Sequence, residues 1–156
     1  MLKFNSSIYL FFLNTEISDI LLLLKFNDIK FVKPEYKFGN SRFDIYVETD
    51  KEKIFIEVKG VTLENGGTAL FPDAPTTRGI KHLKDLQKAV KEGFKAYIVF
   101  VVQMNDIKNF KPNAHTHPEF AFELSNAIKN GVIPLAFNCN VGMDFIELNE
   151  VIHIDI

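Results

Sequence analysis

Hydrophobic and polar positions alternate over residues 42–48 and again over 53–59, the period-two signature of strands with two unlike faces. In the first stretch Phe43, Ile45 and Val47 point one way and Arg42, Asp44 and Tyr46 the other. In the second, Ile54, Ile56 and Val58 oppose Phe55, Glu57 and Lys59. Between them Thr49, Asp50, Lys51 and Glu52 are all polar, which predicts a hairpin turn and two adjacent antiparallel strands. Residues 96–102 abandon the alternation and are apolar throughout, as a central strand covered on both faces requires.

Helical spacing takes over elsewhere. In residues 79–91 Leu83, Leu86 and Val90 form an apolar side, while Lys81, Lys84, Lys88 and Lys91 recur three or four residues apart, with Lys95 beyond. Thr76 or Thr77 is placed to cap this helix and Gly93 to end it. Pro118 opens a second helix through residue 128, stopped by Gly131. A short helix over 20–25, capped by Thr15 or Ser18, precedes an extended segment at 31–38. Residues 132–138 read as another strand, with edge strands at 144–148 and 151–156. Two turn-rich clusters, 64–67 and 72–75, bracket what reads as a long loop, and long loops in compact chains often carry function. The order of elements predicts an α/β fold, a mixed sheet flanked by helices.

Composition narrows the class. The chain has 156 residues, the size of one domain, and no low-complexity tract or linker. The apolar runs at 8–13 and 21–24 are separated by Asn14, Glu16 and Asp19, so no membrane span is expected. Lys3 precedes a short apolar run that no small-residue cleavage site follows, which argues against export. A single cysteine, Cys139, cannot close an intrachain disulfide and points to a cytoplasmic location. A net charge of −2 excludes a globally basic nucleic-acid binder but leaves room for a basic face.

Chemistry concentrates on the two alternating strands. Side chains on paired strands stand about 5 Å apart. Asp44 and Glu57 could therefore share one hard cation, with Lys59 two residues further along the same face to orient a water and offset phosphate charge. Residues 71–83 form a second candidate: a double-proline loop feeds a helix N-terminus that carries two threonines and Arg78, an arrangement suited to an anion. The lysine stripe of that helix, with Lys81, Lys84 and Lys88, is the best phosphate-backbone candidate, and His82 sits beside Arg78. His115 and His117 lack the partners a zinc site needs.

At these residues the chain resembles the SfsA family, the sugar fermentation stimulation proteins. The resemblance is carried by Ser41-Arg42-Phe43-Asp44, by Ile56-Glu57-Val58-Lys59-Gly60-Val61-Thr62-Leu63 and by the whole of 71–83. It continues through Phe100-Val101-Val102-Gln103, Gly131-Val132 and Leu135-Ala136, in family order from about residue 35 to 141. It implies a restriction-endonuclease-like core of the PD-(D/E)xK type, with Asp44 as the first acid, Glu57 and Lys59 as the E-x-K, and Glu35 as a further metal ligand. The implied cofactor is Mg²⁺ or Mn²⁺ and the implied partner DNA, met by Arg78, Lys81, His82, Lys84 and Lys88. The family's regulatory effect implies an alternative, a non-catalytic DNA-binding regulator of sugar (maltose) metabolism genes.

Family members usually carry an N-terminal OB-like domain. The expected organisation here is an N-terminal segment, 1–34, in its place and a nuclease-like domain at 35–156, with DNA affinity supplemented by a homo-oligomer or a partner. A second departure is His117, where the family tends to have Asp before the proline, an exchange expected to bear on helix capping.

Overall fold

A turn of polar residues joins the alternating segments as their pattern requires. The computed structural model describes residues 17–26 and 28–156. Strands β2 (Ser41–Thr49) and β3 (Lys53–Val61) pair antiparallel, with Ile45 opposite Ile56 and Glu48 opposite Lys53. The Thr49 hydroxyl closes the turn by accepting the N–H groups of Lys51 and Glu52. Strand β1 (Ile29–Phe38) pairs antiparallel with β2, and the all-apolar segment forms β6 (Lys95–Val102), parallel to β3. Beyond β6 come β8 (Ile133–Val141), parallel, and β9 (Ile146–Val151), antiparallel. The result is a six-stranded mixed sheet in the order β1-β2-β3-β6-β8-β9.

Helices cover both faces. On one, α2 (Thr77–Lys91) and α3 (Pro118–Lys129) bury Leu83, Leu86, Ala89, Phe120 and Leu124 against Phe43, Phe55, Ile98 and Phe100. On the other, α1 (Ile17–Leu23) buries Ile20 and Leu21 against Ile45, Val47, Ile56 and Val99. Residues 8–13 and the Thr15 and Ser18 side chains lie outside the described residues.

Three expectations need correction. The long loop is largely a hairpin: β4 (Leu63–Asn65) and β5 (Thr68–Phe71) pair across Gly66 and Gly67, whose φ values of +58° and +81° suit the tight turn that twisted strands need. That hairpin belongs to a second, four-stranded sheet with β7 (Asn109–Pro112) and β10 (His153–Ile154), and β7 has no alternating pattern to announce it. The candidate edge strands shift, since one strand spans 146–151. Phe43 does not share a face with Ile45 and Val47, because it packs with Phe55 and Tyr46. The slip in alternation falls at Asp44, whose register position is opposite Glu35, a residue at φ +50°. Residue 35 itself lies within β1.

Candidate metal centre

Residue order on β3 sets the site. Phe55 faces the α2–α3 layer, so period two puts Glu57 and Lys59 on that face as well, beneath α2 and not in water. Glu57 is 2% exposed, a charge that can be buried only if it is paired. Its Oε1 accepts from Lys59 Nζ at 2.7 Å and from His82 Nδ1, and Nζ and Nδ1 lie 3.4 Å apart. Its Oε2 is buried and has no hydrogen-bond partner among the described residues.

Asp44 reaches the same point from β2. Its Oδ2 accepts the backbone N–H of Val58 at 2.7 Å, next to Glu57 in the chain. Burial, and then the Glu57 charge, push the Asp44 carboxyl up to about 8, against the pull of the Val58 N–H and the nearby charges of Lys59 and Arg78. Burial also works against ionised Glu57, yet the Lys59 ammonium and the His82 hydrogen bond outweigh it and hold its carboxyl below the usual range. The two acids are thus unlike: burial raises the Asp44 carboxyl, whereas at Glu57 the Lys59 ammonium and His82 outweigh it.

A buried carboxylate oxygen with no donor among the described residues, beside a second buried carboxyl, leaves oxygen lone pairs open to a ligand. Oxygen ligands of this kind fit a hard divalent cation. Glu35 is turned elsewhere: it forms an exposed ion pair with Arg42 at 3.4 Å. Among the described residues no group of three acidic, histidine or cysteine side chains is arranged to hold a metal, so Glu35 does not join Asp44 and Glu57 here.

The helix-borne candidates separate into two sets. Arg78 is exposed in the first turn of α2 and close enough to Asp44 for its charge to act there. Lys81, Lys84 and Lys88 are exposed further along, with Lys81 paired to Asp85 at 3.1 Å and Lys88 to Glu92 at 3.9 Å. Lys81 also reaches the Asn40 carbonyl and the Ser41 hydroxyl, clamping α2 to the β1–β2 turn. His82 does not share this surface: it is 5% exposed and faces Glu57, so the structure sets it apart from the exposed basic residues with which it was expected to meet DNA. The signal was present in the sequence, because His82, Leu86 and Ala89 follow one helical stripe.

Comparison with known proteins shows the family. The family described as "Sugar fermentation stimulation protein RE domain" matches residues 13–145. The chain belongs to the SfsA family. A sugar fermentation stimulation protein homolog of Clostridium beijerinckii is 52% identical over 127 residues, 81% of this chain and 56% of the relative. One of Ruminiclostridium cellulolyticum is 51% identical over 129 residues, 83% of this chain and 57% of the relative. The structure of Pyrococcus furiosus SfsA in complex with Ca²⁺ superposes with a TM-score of 0.82 at 31% identity, over 90% of this chain and 61% of that one. The chain therefore spans somewhat over half the length of these SfsA relatives. Its architecture is the expected mixed sheet flanked by helices, of the restriction-endonuclease-like kind. Among the described residues no helix is long and apolar enough to cross a membrane.

One SfsA-family position works differently from its expected capping role. His117 is the N-cap residue of α3 but makes no side-chain cap bond. Its Nδ1 instead accepts the Thr76 N–H at 3.2 Å, while Thr76 caps α2 by accepting from Gly79 N at 2.9 Å. The starts of the two helices are thereby tied together beside the site.

Proposed function

We propose that this chain is a Mg²⁺- or Mn²⁺-dependent phosphodiester-hydrolysing domain acting on DNA in the cytoplasm. The observation that carries the reading is the buried, unpartnered Glu57 Oε2 beside an Asp44 carboxyl pushed up to about 8. Asp44 and Glu57 hold the cation. A bound divalent ion supplies charge stabilisation to a phosphate and a more acidic water. Lys59, fixed by Glu57, orients the attacking water and offsets developing phosphate charge. Arg78, exposed at the start of α2, binds a phosphate of the DNA backbone, and Lys81, Lys84 and Lys88 extend that contact. The Ca²⁺ in the relative from Pyrococcus furiosus supports divalent binding by this fold.

The regulator reading, in which the basic helix binds DNA without chemistry, draws less support. Two lysines of the stripe are engaged by Asp85 and Glu92, and this reading gives the buried Glu57–Lys59–His82 cluster no part in the binding.

Calorimetric titration with Mg²⁺ and Mn²⁺, followed by DNA cleavage assays, tests the proposal. Binding is expected in the wild type and lost in Asp44→Ala, and cleavage with Mn²⁺ is expected to vanish in Glu57→Ala. Cleavage that persists in folded Glu57→Ala overturns the catalytic assignment, and salt-sensitive DNA binding without metal or cleavage favours the regulator.

A further inference from the structure

The two oxygens of Glu57 are not equivalent. Oε1 receives two donors, Lys59 Nζ and His82 Nδ1, and Oε2 receives none among the described residues. An ionised carboxylate oxygen can only accept, so the bond between His82 Nδ1 and Glu57 Oε1 has Nδ1 carrying the hydrogen, and the 3.4 Å separation of Lys59 Nζ from Nδ1 is then that of two donors meeting one acceptor. The His82 ring has little freedom to leave. It lies on the buried stripe of α2 and meets Phe43 edge-on, with ring centres 6.4 Å apart.

A carboxylate oxygen already accepting two charge-assisted or well-directed hydrogen bonds is a poor ligand, so Glu57 is left with one oxygen to offer. One-oxygen ligation suits Mg²⁺, which needs near-ideal octahedral geometry, whereas Ca²⁺ readily takes carboxylates through both oxygens. We propose that His82 is a positioning residue that restricts Glu57 to ligation through Oε2 and thereby biases the site toward small octahedral cations over Ca²⁺. This rests on the metal-site reading above and goes beyond it, since it assigns ion preference to a residue on α2 that touches no metal.

Calorimetry with Mg²⁺ alone and with Ca²⁺ alone, on the wild type, His82→Leu and His82→Asn, tests the assignment. Circular dichroism accompanies each variant to show that it is folded. Loss of a residue that orients a ligand typically weakens metal binding by about 10–100-fold, so the Mg²⁺-to-Ca²⁺ affinity ratio is expected to fall at least ~10-fold in His82→Leu. His82→Asn, whose amide N–H lies near the place of Nδ1, is expected to recover most of the ratio. An unchanged ratio in folded His82→Leu, or equal losses in both variants, overturns the role of His82 while leaving the metal site standing. A wild type that binds neither ion overturns the metal site and this inference together. If His82→Leu does not fold, ¹⁵N NMR of the wild-type imidazole decides: a hydrogen on Nδ1 with and without Mg²⁺ is expected, and a bare Nδ1 overturns the proposal.

Discussion

Asp44 accepts the backbone N–H of Val58 at 2.7 Å, a side chain of β2 standing in for a rung of the β2–β3 ladder. The paired residues nearest to it are Ile45 and Ile56, so the bond sits where the regular pairing of the two strands stops. It fixes Asp44 against the strand that carries Glu57 and Lys59, at the cost of crowding two carboxyls.

That crowding has a measurable sign. The Asp44 carboxyl is pushed up to about 8 from an ordinary 3.8, so the metal-free folded protein binds its proton more tightly than the unfolded chain. The associated stability is full below pH 3.8, falls as pH rises, and is lost once pH passes about 8. Asp44→Asn removes the titration and keeps an oxygen for the Val58 N–H. With chelator present, this variant is expected to be more stable than wild type at pH 8 by on the order of 2 kcal/mol, and the two are expected to converge near pH 4. Paired melting curves across that range check it, and a difference independent of pH would contradict it.

Glu57 should behave in the opposite way. Its carboxylate neutralises Lys59 and anchors His82 inside the fold, with Glu57 itself 2% exposed. Glu57→Ala leaves a buried ammonium without its partner, and breaking a buried pair in this manner typically costs about 3–5 kcal/mol. Glu57→Gln keeps an oxygen acceptor and is expected to lose less. Urea unfolding in chelator ranks the two, and equal midpoints for Glu57→Ala and wild type would mean that Lys59 finds another partner.

Much of this arrangement is legible in the sequence. The β2–β3 hairpin, the all-apolar β6 and the boundaries of α2 and α3 follow from alternation, from Thr49–Glu52 and from the Thr76, Pro118 and Gly131 signals. The burial of Glu57 and Lys59 was not, because a Glu-x-Lys on a strand reads locally as a solvated face; only the docking of α2 covers it. His82 marked that docking, as a polar residue on the helix's inner stripe, yet its neighbours Arg78 and Lys81 drew it toward the surface reading. The second sheet escaped notice because β4, β5 and β7 are too short for periodicity to register, with Pro112 ending β7. The slip at Asp44, whose register position is opposite Glu35, leaves no mark in local spacing.

Gly79 supplies a stability prediction of unusual sign. In a helix, replacing glycine by alanine ordinarily gains up to about 1 kcal/mol. Here a Cβ would lie 2.8 Å from Thr76 Cγ2 and 3.1 Å from Phe120 Cε2, between the cap of α2 and a fully buried ring of α3. Gly79→Ala is therefore expected to lose about 1–2 kcal/mol, the usual consequence of overpacking a close contact. Calorimetric melting of the variant checks this, and a raised melting temperature would show that Thr76 yields freely.

The α2 surface makes a last distinction. Arg78 is exposed and its charge reaches Asp44, while Lys88 lies further along the helix with Glu92 at 3.9 Å. A phosphate held at the metal centre should meet Arg78 first, and Lys88 should contribute only to the diffuse attraction of the backbone. In chelator, which prevents cleavage, Arg78→Ala is expected to weaken duplex binding more than Lys88→Ala and to flatten the slope of log K against log salt by about 1. Fluorescence anisotropy over a range of salt concentrations measures both quantities. A larger loss from Lys88→Ala would move the DNA away from the carboxylates and onto the outer face of α2, separating binding from the chemistry proposed for Glu57 and Lys59.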